Sequence, residues 1–106
     1  MIRQNSQIWF NDFSSDKTMQ ISRFQQLISE RYGKRDTERG VSTTFMWFIE
    51  EVGELATALA SDNKTNKAEE FADVFAWLCT LANISDVNLE KACEKYTDTE
   101  EIEGLK

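Results

Sequence analysis

The sequence predicts an all-α domain, a four-helix bundle of antiparallel helical hairpins. Three observations carry that expectation. There is no proline and there are only four glycines, at positions 33, 40, 53 and 104, so long stretches run without a breaker. Within those stretches apolar side chains recur three and four residues apart, the period of a helix with one buried face. At 106 residues the chain is one domain with room for a single, modest core.

Residues 1–16 read as an irregular lead-in, whose Trp9, Phe10 and Phe13 are apolar enough to dock on a partner subunit. The first helix is expected over 17–32, with Ser14 or Ser15 as its cap and Gly33 as its stop. Its buried stripe is Ile21, Phe24, Leu27 and Ile28. The charged segment 34–40, carrying Lys34, Arg35 and Arg39, then reads as a loop. Ser42 is the expected cap of a second helix over 43–61, with Phe45, Phe48, Ile49, Val52, Leu55, Ala56 and Leu59 as its core stripe. A loop over 62–66 follows. Asn66 is expected to cap a third helix over 67–84, with Phe71, Val74, Phe75, Leu78, Leu81 and Ala82 facing the core. A fourth, shorter helix covers 87–96, apolar at Leu89, Ala92, Cys93 and Tyr96. The helical domain thus spans 17–96, and 97–106 form a flexible tail.

A formal net charge of −7 argues against binding a nucleic-acid polymer, which needs a basic surface. It leaves room for a small nucleotide whose phosphates arrive with Mg²⁺. The chain has no histidine at all. That excludes Ser–His and Cys–His catalysis, His-ligated zinc and the Glu-x-x-His signature of di-iron bundles. Cys79 and Cys93 have no metal-binding spacing and read as buried, small apolar groups, which suits a reducing cytoplasm. The first seventeen residues hold no apolar run long enough for a signal peptide. The most apolar stretch, 71–84, contains Asp73 and is too short to cross a bilayer. The expectation is a cytoplasmic protein without a membrane partner.

Two short acidic pairs stand out: Glu51 and Glu54 in EEVGE, then Glu70 and Asp73 in EEFAD. Spacing of i, i+3 sets both carboxylates of a pair on one helical face. Counting outward from a 62–66 loop puts Glu54 level with Asp73 and the other two within about a turn. Two readings compete. One is an ordinary solvated face. Against it, there is no Lys or Arg between Arg39 and Lys64 or between Lys67 and Lys91, and the acids share their stripes with Trp47, Ala58, Trp77 and Thr80. The other is a hard divalent cation held by the four carboxylates, Mg²⁺ with Mn²⁺ as a substitute. With no protein nucleophile nearby, such a site suits attack of water on a phosphoryl group, helped by a spare carboxylate. Glu50 is the candidate for that role, and an exposed, idle acid is its alternative.

The segments EEVGELATAL, KAEEFADVFAWLCTLANI and VNLEKACEKY resemble the MazG-like nucleotide pyrophosphohydrolases, of the all-α NTP pyrophosphatase superfamily. The family pattern E-E-x-x-E, spacer, E-x-x-D reads here as Glu50, Glu51 and Glu54, fifteen residues, then Glu70 and Asp73. About residues 20–96 are covered. The resemblance implies that Glu51, Glu54, Glu70 and Asp73 hold Mg²⁺. It implies hydrolysis of a nucleoside triphosphate between the α and β phosphates, giving monophosphate and pyrophosphate, as in nucleotide-pool housecleaning. It also implies a homo-oligomer, dimer or tetramer, in which paired helices complete the MazG-like bundle. By the family pattern Lys95 contacts phosphate, although the Asn or Arg that often follows is not evident after it. Arg39 could supply a further charge and Trp47 could stack on a base, an interface or core role being the alternative for Trp47. Two other readings differ in class: a helical interaction module without catalysis, and a superfamily relative acting on phosphoribosyl-ATP.

Overall fold

Gly33 does not stop the first helix. In the computed structural model, which describes residues 18–97, α1 runs unbroken from Ile21 to Arg39. A glycine inside a helix costs only about 1 kcal/mol relative to alanine, and Lys34, Arg35 and Glu38 after it favour the helix. The segment expected as a charged loop is therefore the end of α1. The stop falls at Gly40, whose φ of 85° and ψ of 170° are hostile to an L side chain. Its N–H donates to Asp36 O at 3.1 Å, and its carbonyl accepts from Thr44 N at 3.2 Å. One residue thus closes α1 and opens α2, Val41–Leu59. Ser42 lies inside the first turn of α2 and does not cap it.

The next connection is also displaced from the sequence expectation. Helix α3 spans Lys64–Ile84, and its cap is Asn63, whose side chain accepts from the Asn66 N–H at 2.9 Å. Asn66 is therefore within the helix, and the connection is 60–63. Past α3 the chain turns through Asp86, at φ 57°, the left-handed conformation that Asp tolerates better than most residues. In place of one helix over 87–96 there is a short α4, Leu89–Cys93, capped by Asn88, and a 3₁₀ turn, Glu94–Tyr96. The expected lead-in, with Trp9, Phe10, Phe13 and the serine caps, and the tail beyond residue 97 lie outside the described residues.

Helix α3 is central and packs on both α2 and α1, while α4 rests on α1. A buried glutamine ties the far end together. Gln25 Nε2 donates to Asn83 Oδ1 at 2.9 Å and to the Val87 carbonyl at 2.7 Å, and its Oε1 accepts from Leu89 N at 3.0 Å. Those bonds satisfy polar groups of the α3–α4 turn that would be costly to bury unpaired. Phe24 stacks on Phe75, with ring centroids 5.4 Å apart.

The buried faces of α2 and α3 match the expected stripes only in part: Ala82 is buried and Phe48, Leu55, Val74 and Leu81 are half-buried, as expected. Fully or nearly buried are Thr44 and Ala58 on α2 and Cys79, Thr80 and Ala82 on α3. Much of the apolar stripe expected to form the core looks outward: Phe45 is 50 % exposed, Ile49 48 %, Leu59 52 % and Phe71 54 %. On the adjacent stripe Ala58 and Thr80 are buried and Trp77 is half-buried, while Trp47 stays 44 % exposed. Its smaller residues let the helices approach, and its acids and indoles find partners across the pair. Of the two cysteines, Cys79 is buried as expected, while Cys93 is exposed on α4.

The joint at Gly40 can be tested directly. A Cβ built there meets nothing within 4 Å, so only backbone strain opposes a side chain. Gly40→Ala should lower unfolding free energy by about 1–3 kcal/mol, read from urea denaturation. An unchanged midpoint would contradict the left-handed joint.

Candidate metal centre and the cleft beside it

Moving the connection to 60–63 changes which acids oppose one another. Counting outward from its midpoint sets Glu51, not Glu54, opposite residues 72 and 73. Accordingly one carboxylate oxygen each from Glu51, Glu70 and Asp73 lie within 4.8 Å of one another. Glu54 stands outside this tightest group but hydrogen-bonds Glu51, and its charge acts on both Glu51 and Glu70. Glu50 is exposed on α2, beside the group in sequence.

The electrostatics reflect the crowding. Burial, then the hydrogen bond and charge of Glu54, then the charges of Asp73 and Glu70, push the Glu51 carboxyl up to about 7. Burial and the charges of Glu54, Asp73 and Glu69 raise Glu70 as well. Glu70 Oε1 is shielded from solvent and has no hydrogen-bond partner among the described residues. An unpartnered, shielded carboxylate oxygen beside two other carboxylates is what a hard cation with oxygen ligands satisfies. The donor set fits such an ion.

Arg39 does not reach out as a free charge. Its guanidinium pairs with Asp36 at 2.8 Å and donates to Thr44 Oγ1 at 3.1 Å. The guanidinium carbon lies 4.7 Å from the Trp47 ring centroid and 5.1 Å from that of Trp77. The two indoles meet edge to face, with centroids 5.7 Å apart. Trp47 lies one turn before Glu51, and Trp77 one turn after Asp73, so the clamp sits next to the acids on both helices. Lys95 is exposed in the 3₁₀ turn, with its ammonium 5.0 Å from the Tyr96 ring centroid. It does not line the cleft described next.

Between α1 and α3, with Trp47 of α2 among its lining residues, lies a cleft of about 370 Å³. Asp73 stands on its edge, so the cleft opens beside the acidic group. Asp36, only 2 % exposed, and Thr80 are among its lining residues, together with Tyr32 and Arg35. Sequence reasoning passed over Asp36 because it treated 34–40 as a loop. Read as helix, Asp36 and Arg39 are an i, i+3 pair, which is the signal that was there to find.

The family model of the MazG nucleotide pyrophosphohydrolase domain matches residues 39–99. The chain belongs to this family. The matched segment carries both acidic pairs, Trp47, Trp77 and Lys95, whereas all of α1 before Arg39 lies outside it. No curated protein matches the chain. The helical architecture agrees with MazG membership, and among the described residues no helix is long and apolar enough to cross a membrane.

Raised carboxyl groups have a signed consequence for stability. Folded Glu51 keeps its proton up to about pH 7, whereas an ordinary glutamate loses it near 4.5. The folded state therefore binds more protons between those values, and stability falls as pH rises through them. Glu70 acts in the same direction. With metal removed by a chelator, thermal melts should show a higher Tm at about pH 5 than at pH 8. There is no histidine to confuse the result. Glu51→Gln should flatten that slope; a wild-type Tm that rises from pH 5 to 8 would contradict the crowding.

Proposed function

We propose that this MazG-family protein is a Mg²⁺-dependent nucleoside triphosphate pyrophosphohydrolase. It cleaves between the α and β phosphates, giving a nucleoside monophosphate and pyrophosphate. The observation that carries this reading is the convergence of the Glu51, Glu70 and Asp73 carboxylates, of which Glu70 has an unpartnered, shielded oxygen. Glu51, Glu54, Glu70 and Asp73 hold the cation, with Mn²⁺ as a substitute. When bound, the cation supplies positive charge to the phosphate oxygens and acidifies the attacking water. Glu50, exposed on the same helix, orients that water and accepts its proton. Trp47 offers a ring to the base. Lys95 reaches phosphate from the 3₁₀ turn. Arg39, paired with Asp36, acts by holding the indoles and not by binding phosphate.

The active form is a homo-oligomer. Phe45, Ile49, Val52 and Leu59 on α2 and Phe71, Phe75 and Leu78 on α3 are all at least a third exposed. Apolar surface at helical spacing on two adjacent helices supports burial against a second copy. A cytoplasmic setting fits two free thiols, of which Cys79 is buried with its pKa pushed up to about 11.

Incubation of each common (d)NTP with Mg²⁺ should release pyrophosphate, with the α-phosphate staying on the nucleoside. Release of orthophosphate as the first product would overturn the bond assignment. Asp73→Asn and Glu70→Gln should each lower kcat at least about a hundredfold, since loss of even a ligand's supporting partner costs up to that much. Circular dichroism should remain helical in both.

Light scattering should give a mass of at least twice the 12.3 kDa of one chain. Ile49→Asp should shift it toward the monomer. A wild-type monomer at micromolar concentration would remove the oligomer from this reading.

A further inference from the structure

An apolar surface lies where the chain enters α1. The helix starts at Ile21, after Gln20 as its cap, and Met19 just before it is exposed. Three residues into the helix, Phe24 is half-buried and stacks on Phe75 of α3. Phe75 in turn belongs to a face of α3 that reads Lys64, Lys67, Phe71, Phe75 and Leu78, in steps of three and four residues that keep to one side of a helix. The three apolar members are exposed. Neither lysine has an ion-pair partner among the described residues. The face therefore has an apolar half beside the entry to α1 and a basic half toward the α2–α3 connection.

The residues that lead into α1 have the complementary character. Residues 8–16 read IWFNDFSSD, with Trp9, Phe10 and Phe13 set among Asp12 and Asp16 and no cation. Aromatic side chains bury on the order of 150–250 Å² each, so three left in water would make a patch larger than single soluble chains usually show. Reach is ample. Phe13 precedes Ile21 by eight residues, up to about 26 Å of extended chain. The face from Phe75 back to Lys64 is about 17 Å long at a helical rise of about 1.5 Å per residue. A tether this short gives an effective concentration in the millimolar range, which a separate partner would have to exceed.

We infer that residues 8–16 dock on their own chain, with Trp9, Phe10 and Phe13 covering Phe71, Phe75 and Leu78 and the two aspartates directed toward Lys64 and Lys67. The sequence expectation gives these aromatics to a partner subunit. The α3 face is nearer, and Phe24 of the same chain already rests on it. The α2 stripe of Phe45, Ile49, Val52 and Leu59 stays free for the second copy. The segment lies before residue 39, outside the stretch matched to the MazG family, so the cover is an addition to the matched domain. The inference does not depend on the nucleotide reading of the acidic group.

Acrylamide quenching of tryptophan fluorescence on the full chain tests it, with the Trp9 signal taken as the difference between each protein and its Trp9→Phe counterpart. Trp9 should be quenched several-fold less readily than free tryptophan. Phe71→Ser should remove that protection and Phe71→Leu should keep it, with circular dichroism helical in both. Ile49→Asp, on the α2 stripe, should leave it in place. A wild-type Trp9 as accessible as free tryptophan overturns the inference, whether or not the variants fold. So does protection that survives Phe71→Ser in a folded protein. Protection that disappears with Ile49→Asp also overturns it, by assigning the segment to the interface between copies. Protection in a wild type whose light-scattering mass is that of one chain supports docking on the same chain and sinks only the second copy.

Discussion

A buried ion pair, Asp36 with Arg39, is the meeting point of the three long helices. Both residues come from α1; Thr44 and Trp47 of α2 and Trp77 and Thr80 of α3 close around them. Taking two charges out of water costs several kcal/mol per ion, and a pair repays that only with good geometry and satisfied lone pairs. Here the contact is 2.8 Å, and threonine hydroxyls bond each partner. Arginine is suited to the place because its planar face can lie against indoles while its edge binds a carboxylate. Lysine could do one but not both. The residues that close around the pair, Trp47 and Trp77, lie one turn from the carboxylates on α2 and α3, so a neutralised cluster borders the acidic group.

The acids themselves pull the other way. Glu51 and Glu70 are held where burial and neighbouring charge favour the proton. Such an arrangement opposes folding at neutral pH and favours a bound cation. Stability lost at a site is commonly the cost of function there. The compensation lies in the Asp36–Arg39 cluster and in the Gln25 network at the opposite end of the helices.

The acidic pairs were legible in the sequence because they depend only on helical period, which is local. Their partners across the hairpin depend on where the connection sits, and the expectation there rests on Asn66 as the cap. The structure uses Asn63, and a shift of a few residues makes Glu51 rather than Glu54 the close neighbour of Asp73. Gly33 and Gly40 are likewise alike on paper. Only the backbone shows that Gly40 takes the positive φ. The partly displaced stripes on α2 and α3 have another cause. Each helix has two faces able to pack, one of large apolar residues and one of small residues, acids and indoles. Which faces inward is decided by shape and by partners on other elements. Asp36 was hidden by the same error that ended α1 too early.

The one-residue joint at Gly40 leaves α1 no slack. Adding or removing a residue between Asp36 and the joint would turn the helix by about 100° about its axis. Asp36 would leave the cleft while the acidic pairs on α2 and α3 kept their places. The joint therefore works as a phase lock: the acidic group and the α1 wall of the cleft belong to separately indexed parts of the chain. A change of register in α1 would re-dress that wall without moving the acids.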